Sequence, residues 1–194
     1  MSVAARVVAL IGMPGGGKST VGRLLAKRLG WAFADVDQSI EDRSGCTVTE
    51  LFEQRGEPAF RDFEAGLLAE LIQQGPSVVA TGGGSILRAE SRELLKAATV
   101  PVYLHAPLDQ LWRRVRRNSR RPLLEVSDPF GRLQQLLVER HPLYCEVAQF
   151  TVETGSPSMA AVVDSIVAQL QSIGIPPTAD GHSSTSADQE QATR

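Results

Sequence analysis

Short apolar runs recur along the chain, at Arg6–Ile11, Ala32–Asp35, Ser77–Thr81, Val100–Leu104 and Phe150–Glu153, with helix-period stretches between them. Runs that do not alternate with polar residues belong to strands covered on both faces. Their regular exchange with helices predicts an α/β domain on a mostly parallel sheet with helices on both sides. Several helix borders carry local signals. Thr20 to Leu29 follows the first strand. Thr47-Val48-Thr49-Glu50 has capping-box spacing and opens a helix that Gly56 closes, and Pro58 starts the next, which runs to about Gln74 before Gly75. Pro107 suits the first turn of a helix reaching about Arg117, and another helix is expected to end at Arg140, ahead of His141-Pro142. From Gly174 the periodicity stops. The pattern therefore predicts one folded domain over residues 1–174 and a disordered polar tail over 175–194, without a hydrophobic anchor.

Composition narrows the class. A chain of 194 residues with 42% hydrophobic and 22% charged residues is long enough for one sizeable core, and no apolar run approaches the roughly 20 residues that span a bilayer. The first strand begins within about five residues, which leaves no room for a leader peptide, so a cytoplasmic protein is expected. The formal net charge is −2, all of it carried by the tail, so the folded part lacks the positive field of a general nucleic-acid binder. Cys46 and Cys145 lie far apart without an evident His or Cys partner, which supports neither a zinc site nor a disulfide framework.

The chemistry starts at Gly12-Met13-Pro14-Gly15-Gly16-Gly17-Lys18-Ser19, between a buried strand and a helix. Glycines let the backbone curl until successive N–H groups face a polyphosphate. Lys18 adds a mobile positive charge, Ser19 supplies a hydroxyl for Mg²⁺, and the helix presents its positive end to the same anion. Asp35-Val36-Asp37 closes the second strand. Two carboxylates two residues apart on a strand share a face, so both are expected at the sheet's carboxyl edge: one to help place Mg²⁺, the other to accept a proton from an attacking hydroxyl. The competing reading makes Asp37 the cap of the next helix. The third strand passes through Thr81 into Gly82-Gly83-Gly84, where the backbone can approach a small ligand closely, or simply turn.

Arginines complete the candidate set. Arg61 and Arg140 can each grip a carboxylate with two parallel hydrogen bonds, although either alone reads equally as a surface or ion-paired residue. Arg113 to Arg121 holds six arginines, followed by Pro122-Leu123-Leu124. This stretch fits a solvated helix face, an RNA-binding patch, or a mobile lid that closes over a nucleotide and excludes water; the adjacent phosphate loop favours the lid, placed at about 114–128. His105, Asp109 and His141 are isolated, and Trp112 reads as packing.

From about Val7 to Gln169 the chain resembles the shikimate kinases, small members of the nucleoside-monophosphate-kinase-like P-loop group. The resemblance rests on Gly12–Ser19 as the Walker A loop, Asp35-Val36-Asp37, Phe60-Arg61 with Glu64, Gly82–Gly84, Arg121-Pro122-Leu123-Leu124, and Arg140 with Pro142-Leu143-Tyr144. It implies a three-layer P-loop NTPase fold with strand order 2-3-1-4-5 and a mobile lid. The activity implied is transfer of the ATP γ-phosphoryl group to the 3-hydroxyl of shikimate, in chorismate and aromatic amino acid biosynthesis, by a monomer acting without nucleic acid or membrane. The ATP contacts implied are Gly15, Gly16, Gly17, Lys18, Ser19, Thr20, Arg114 and Arg121. The implied shikimate contacts are Asp37, Arg61, Gly82, Gly83, Gly84 and Arg140, with Lys18, Asp37 and Arg121 catalytic. Ser19 and Asp35 match the Mg²⁺ site, Asp35 through water, and Thr154-Gly155-Ser156-Pro157 is a candidate adenine contact. Gly16 stands where a small hydroxyl or alanine is common in the family, which is expected to loosen the loop. The alternatives are a gluconate kinase, which lacks the two-arginine grip, and a nucleotide-dependent RNA-binding or switch protein using the arginine cluster.

Overall fold

The computed structural model describes residues 6–117, 126–155 and 158–176. The elements run β1 (Val7–Ile11), α1 (Lys18–Leu29), β2 (Ala32–Asp35), α2 (Val36–Ser44), α3 (Val48–Gln73), β3 (Ser77–Ala80), α4 (Ala89–Ala98), β4 (Val100–His105), α5 (Leu108–Val115), α6 (Pro129–Val147), β5 (Phe150–Glu153) and α7 (Met159–Ser172). The sheet has five strands in the order β2-β3-β1-β4-β5, and every pairing is parallel. β1 and β3 are buried along their whole length, as unbroken apolar runs require of central parallel strands. Consecutive residues of a strand point to opposite faces, and β1 divides its side chains accordingly. Val7, Ala9 and Ile11 join a core closed by α2, α3, α4 and α6, whereas Val8 and Leu10 join a second core under α1 and α7. Two cores on either side of one sheet make the three layers.

Local chemistry accounts for most helix ends. Thr47 and Glu50 form the full capping box of α3, each satisfying the other's backbone amide. Gly56 breaks α3 with φ 73° and ψ 166°, so the expected closure there is a kink inside one long element, and Pro58 opens the second segment. Asp128 caps α6 through Gly131 N, and Ser158 caps α7 through Ala161 N.

Three expectations are corrected. β2 ends at Asp35, and Asp37 already lies in the first turn of α2; the cap of that helix is Asp35, whose Oδ1 accepts from the amides of Asp37 and Gln38. α6 does not stop at Arg140 but continues to Val147 through Pro142. Pro142 and Val138, four residues earlier, are both exposed, so the carbonyl that loses its amide partner faces water. Ile175, placed at the start of the polar tail, is 6% exposed and packs under α7, its amide bonded to Leu170 O. The rest of the expected tail from residue 177, and the lid residues Arg120, Arg121 and Pro122 to Leu124, lie outside the described residues. Among the described residues no helix is long and apolar enough to cross a membrane.

Gly12 links the fold to its site. It leaves β1 with φ 143°, and a Cβ there would sit 2.6 Å from the Leu104 carbonyl oxygen of the neighbouring strand. Gly12→Ala is expected to lower stability by about 2–4 kcal/mol, combining left-handed strain with displacement of β4. Thermal melting should register this as a loss of about 5–10 °C; an unchanged Tm would show that the loop start is not held against β4.

Candidate active site

Parallel strands place all five carboxyl ends on one edge of the sheet, and β1 and β3 feed two glycine loops there, which meet where Pro14 of the first abuts Gly83 of the second. The first loop follows β1. Gly15 and Gly17 adopt φ 81° and 92°, conformations that side chains resist, and Gly17 is the N-cap of α1. No side chain caps α1 and its first turn holds no acidic residue, so its leading amides and positive end are available to an anion. Lys18 bends back over the loop and donates to the carbonyls of Gly12 (2.8 Å) and Met13 (3.1 Å). Ser19 sits in the first turn, half-buried, and Thr20 is exposed. Gly16 is not loose: its amide bonds to Met13 O, its carbonyl accepts from Thr154 Oγ1, and a Cβ there would lie 2.9 Å from Met13 O.

Arg114 closes this half of the site. Its guanidinium donates to Gly15 O (3.3 Å) and to Thr154 O (2.8 Å), tying α5 to the phosphate loop and to the end of β5. A residue so engaged does not belong to a solvated helix face. Thr154 is buried and its hydroxyl reaches His105 O as well as Gly16 O, so this threonine braces the loop rather than facing solvent. Ser156 and Pro157 of the same candidate contact, like Arg121, lie outside the described residues.

The second loop follows β3. Thr81 is buried and turned into the fold, where its hydroxyl donates to Leu10 O. A side chain at any of the three following positions would have to displace a group that already fills its space. A Cβ on Gly82 would strike Glu64 Oε1 and lie 3.0 Å from Asp37 Oδ1; one on Gly83 would lie 2.9 Å from Pro14 Cδ; one on Gly84 would overlap the Arg61 guanidinium. Asp37 therefore has its carboxylate beside Gly82 even though it is helical, not on the strand.

Both proposed carboxylate-binding arginines are buried, Arg61 to 8% exposure and Arg140 to 3%. Arg61 Nη1 is fixed by Glu64 at 2.7 Å, and Glu64 is fixed in turn by the Ser85 hydroxyl at 2.8 Å. Arg140 Nη1 donates to Gly83 O at 3.0 Å and, among the described residues, meets no carboxylate. The Nε atoms of both side chains are buried without a hydrogen-bond partner among the described residues. Arg61 is paired with Glu57 as well as Glu64, whereas Arg140 is a buried charge without a carboxylate partner among the described residues, an arrangement that is costly unless an anion completes it.

Sequence reasoning named Glu64 and Tyr144 only as parts of a motif and gave neither a role. Glu64 is three residues from Arg61 and Tyr144 four from Arg140 on continuous helices, the spacings at which side chains meet, so the signal was present. Tyr144 is fully buried; its hydroxyl donates to Gly83 O at 2.6 Å, and burial pushes the phenol well above its ordinary pKa, keeping it protonated. The isolated histidines are accounted for nearby: His105 pairs with Glu153 at 2.7 Å, and His141 bonds the Tyr103 hydroxyl at 3.0 Å. Cys145 does have a partner, His141 Nε2 at 3.6 Å one helical turn away. Trp112 packs edge-on to Phe130, as expected.

Known proteins place this arrangement. The family model described as shikimate kinase matches residues 14–171. A shikimate kinase of Cupriavidus pinatubonensis is 46% identical over 164 residues, covering 84% of this chain and 85% of that protein. The solved structure of a shikimate kinase from Acinetobacter baumannii in complex with shikimate superposes with a TM-score of 0.84 at 41% identity, covering 87% of this chain and 94% of that one. A gluconokinase from Sinorhizobium meliloti shares the fold alone, at TM-score 0.57 and 19% identity over 88% of this chain and 95% of that one. With a phosphate loop on β1 and two buried arginines around the glycine loop of β3, this chain belongs to the shikimate kinase family.

Proposed function

We propose that the chain transfers the γ-phosphoryl group of ATP to the 3-hydroxyl of shikimate, giving shikimate 3-phosphate and ADP. The observation that carries the reading is the pair of buried arginines beside Gly82–Gly84, with Arg140 lacking any carboxylate partner among the described residues. A planar carboxylate between two guanidiniums supplies the missing charge and meets them with parallel hydrogen bonds. Among the described residues no carbonyl or side chain accepts from the amides of Gly83 and Gly84, which leaves both as further donors to the acceptor.

With the acceptor held there, Asp37 beside Gly82 takes the hydrogen bond of the reacting hydroxyl and receives its proton. Lys18, already bent over the loop, follows the transferring phosphoryl group, and the loop amides with the end of α1 hold the remaining phosphate charge. In this reading Arg114, fixed between the phosphate loop and β5, contacts the nucleotide, and Arg121 would bring the lid charge that the family resemblance implies. A Mg²⁺ ion bound with ATP would offset the charge spread over the phosphate oxygens. The residues fit such an ion, which takes oxygen ligands and keeps several waters: a hydroxyl opens α1 and a carboxylate closes β2, both at the carboxyl edge of the sheet. Ser19 would contribute its hydroxyl, and Asp35, with Oδ1 committed to the α2 cap, would act through a water on its other oxygen.

The test is ADP release measured with and without shikimate. Strong dependence on shikimate is expected, and ADP formation indifferent to it would remove the assignment. Lys18→Ala should cut kcat by at least ~10²-fold while circular dichroism stays native, since a contact to the transferring group is lost; near-normal turnover would take the loop lysine out of the mechanism. Arg61→Lys keeps the charge but loses the planar fork, so the Kd for shikimate should rise by about tenfold or more with ATP affinity unchanged. Weaker ATP binding with intact shikimate binding would reverse the assignment of that side chain.

A further inference from the structure

The carbonyl of Gly83 is gripped twice from one helix, by the Tyr144 hydroxyl at 2.6 Å and by Arg140 Nη1 at 3.0 Å. A carbonyl oxygen has two lone pairs, so both are taken, and because the peptide unit is planar, fixing this oxygen also fixes the direction of the Gly84 amide. Without such a grip three successive glycines would leave the loop many conformations. Tyr144 is itself immobilised. It is fully buried, its ring stacks on Tyr103 with centroids 4.9 Å apart and planes 23° apart, and its hydroxyl lies 4.0 Å from Met13 Sδ at the start of the phosphate loop. It thus touches both glycine loops at the seam where Gly83 abuts Pro14. Gly84, on the other side of the same peptide, is the surface on which the Arg61 guanidinium lies.

We propose that Tyr144 is a positioning residue for the acceptor pocket: its phenol, sharing the Gly83 carbonyl with Arg140, holds the Gly83–Gly84 peptide in the one orientation that aims Arg140 and seats Arg61. The inference rests on the reading of this pocket as the shikimate site. It assigns Tyr144 an effect through the loop and the two arginines, with no contact to the substrate.

Tyr144→Phe removes the hydroxyl and keeps the stacked ring. The Michaelis constant for shikimate should rise about tenfold, with kcat within about twofold of wild type and the constant for ATP unchanged. Hydrogen exchange should speed up at the amides of residues 82–85 and stay as in wild type over β1 and β4. An unchanged shikimate constant, or equal losses for both substrates with faster exchange throughout the sheet, would overturn the proposal and leave Tyr144 as core packing. Wild type carries the control: if it neither binds nor phosphorylates shikimate, the reading of the pocket fails first. The two tyrosines of the chain allow a measurement that needs no Tyr144 variant. With both replaced biosynthetically by 3-fluorotyrosine, the Tyr144 fluorine resonance, assigned through Tyr103→Phe, should move on addition of shikimate and stay put with ATP alone; a resonance that ignores shikimate would overturn the proposal.

Discussion

The lack of side chains at Gly82, Gly83 and Gly84 is the constraint on which the surrounding structure depends. Into the space left by three missing Cβ atoms come a carboxylate pair, a proline ring and a guanidinium: Glu64 with Asp37, Pro14, and Arg61. They come from α2 (Asp37), α3 (Arg61 and Glu64) and the phosphate loop (Pro14), so the loop is the place where these three are brought into register. The fourth partner, α6, arrives through Arg140 and Tyr144 on the Gly83 carbonyl. A methyl group at any of the three positions would have to displace a charged or rigid neighbour.

Electrostatics then divides the site into two halves that differ in kind. On the phosphate side positive character comes from backbone amides, an uncapped helix end and the half-buried Lys18, a diffuse field suited to a spread polyphosphate charge. Beside the glycine loop of β3 it is concentrated in two buried guanidiniums, one paired with Glu57 and Glu64 and the other without a carboxylate partner among the described residues. Leaving a cation unpaired in the interior costs stability, and it persists where a ligand completes it. Under the proposed function, this division lets a single carboxylate on the acceptor carry much of the recognition.

Much of this was legible in the order of residues. Parallel pairing and the phosphate loop follow from apolar runs and glycine spacing, because period and turn chemistry act locally, whereas the strand order was implied by the family resemblance alone. Asp37 was found for an imperfect reason: strand geometry placed it at the site, whereas the chain has already turned helical there and Asp35 takes the cap. Arg140 was misjudged as the end of a helix because Pro142 reads locally as a break, and only the exposure of Val138 and Pro142 shows why the break does not occur. Burial of Arg61 and Arg140, the closure of Arg114 onto Gly15 and Thr154, and the packing of Ile175 depend on contacts distant in sequence, which no local pattern encodes. The loosening expected of Gly16 fails for the same reason, since its carbonyl is held by the Thr154 hydroxyl from just past β5.

The most direct measurement of the central claim is calorimetric binding of shikimate beside that of its uncharged carboxamide, on the wild-type chain. If two buried guanidiniums define the acceptor pocket, removing the carboxylate charge should weaken binding by about 10²-fold or more, because the partner charge is then left buried and unpaired. ATP binding, measured alongside, should be unaffected. Equal affinity for the acid and the amide would contradict the account, since the pocket would then be recognising the ring hydroxyls and not the charge that Arg61 and Arg140 are built to meet.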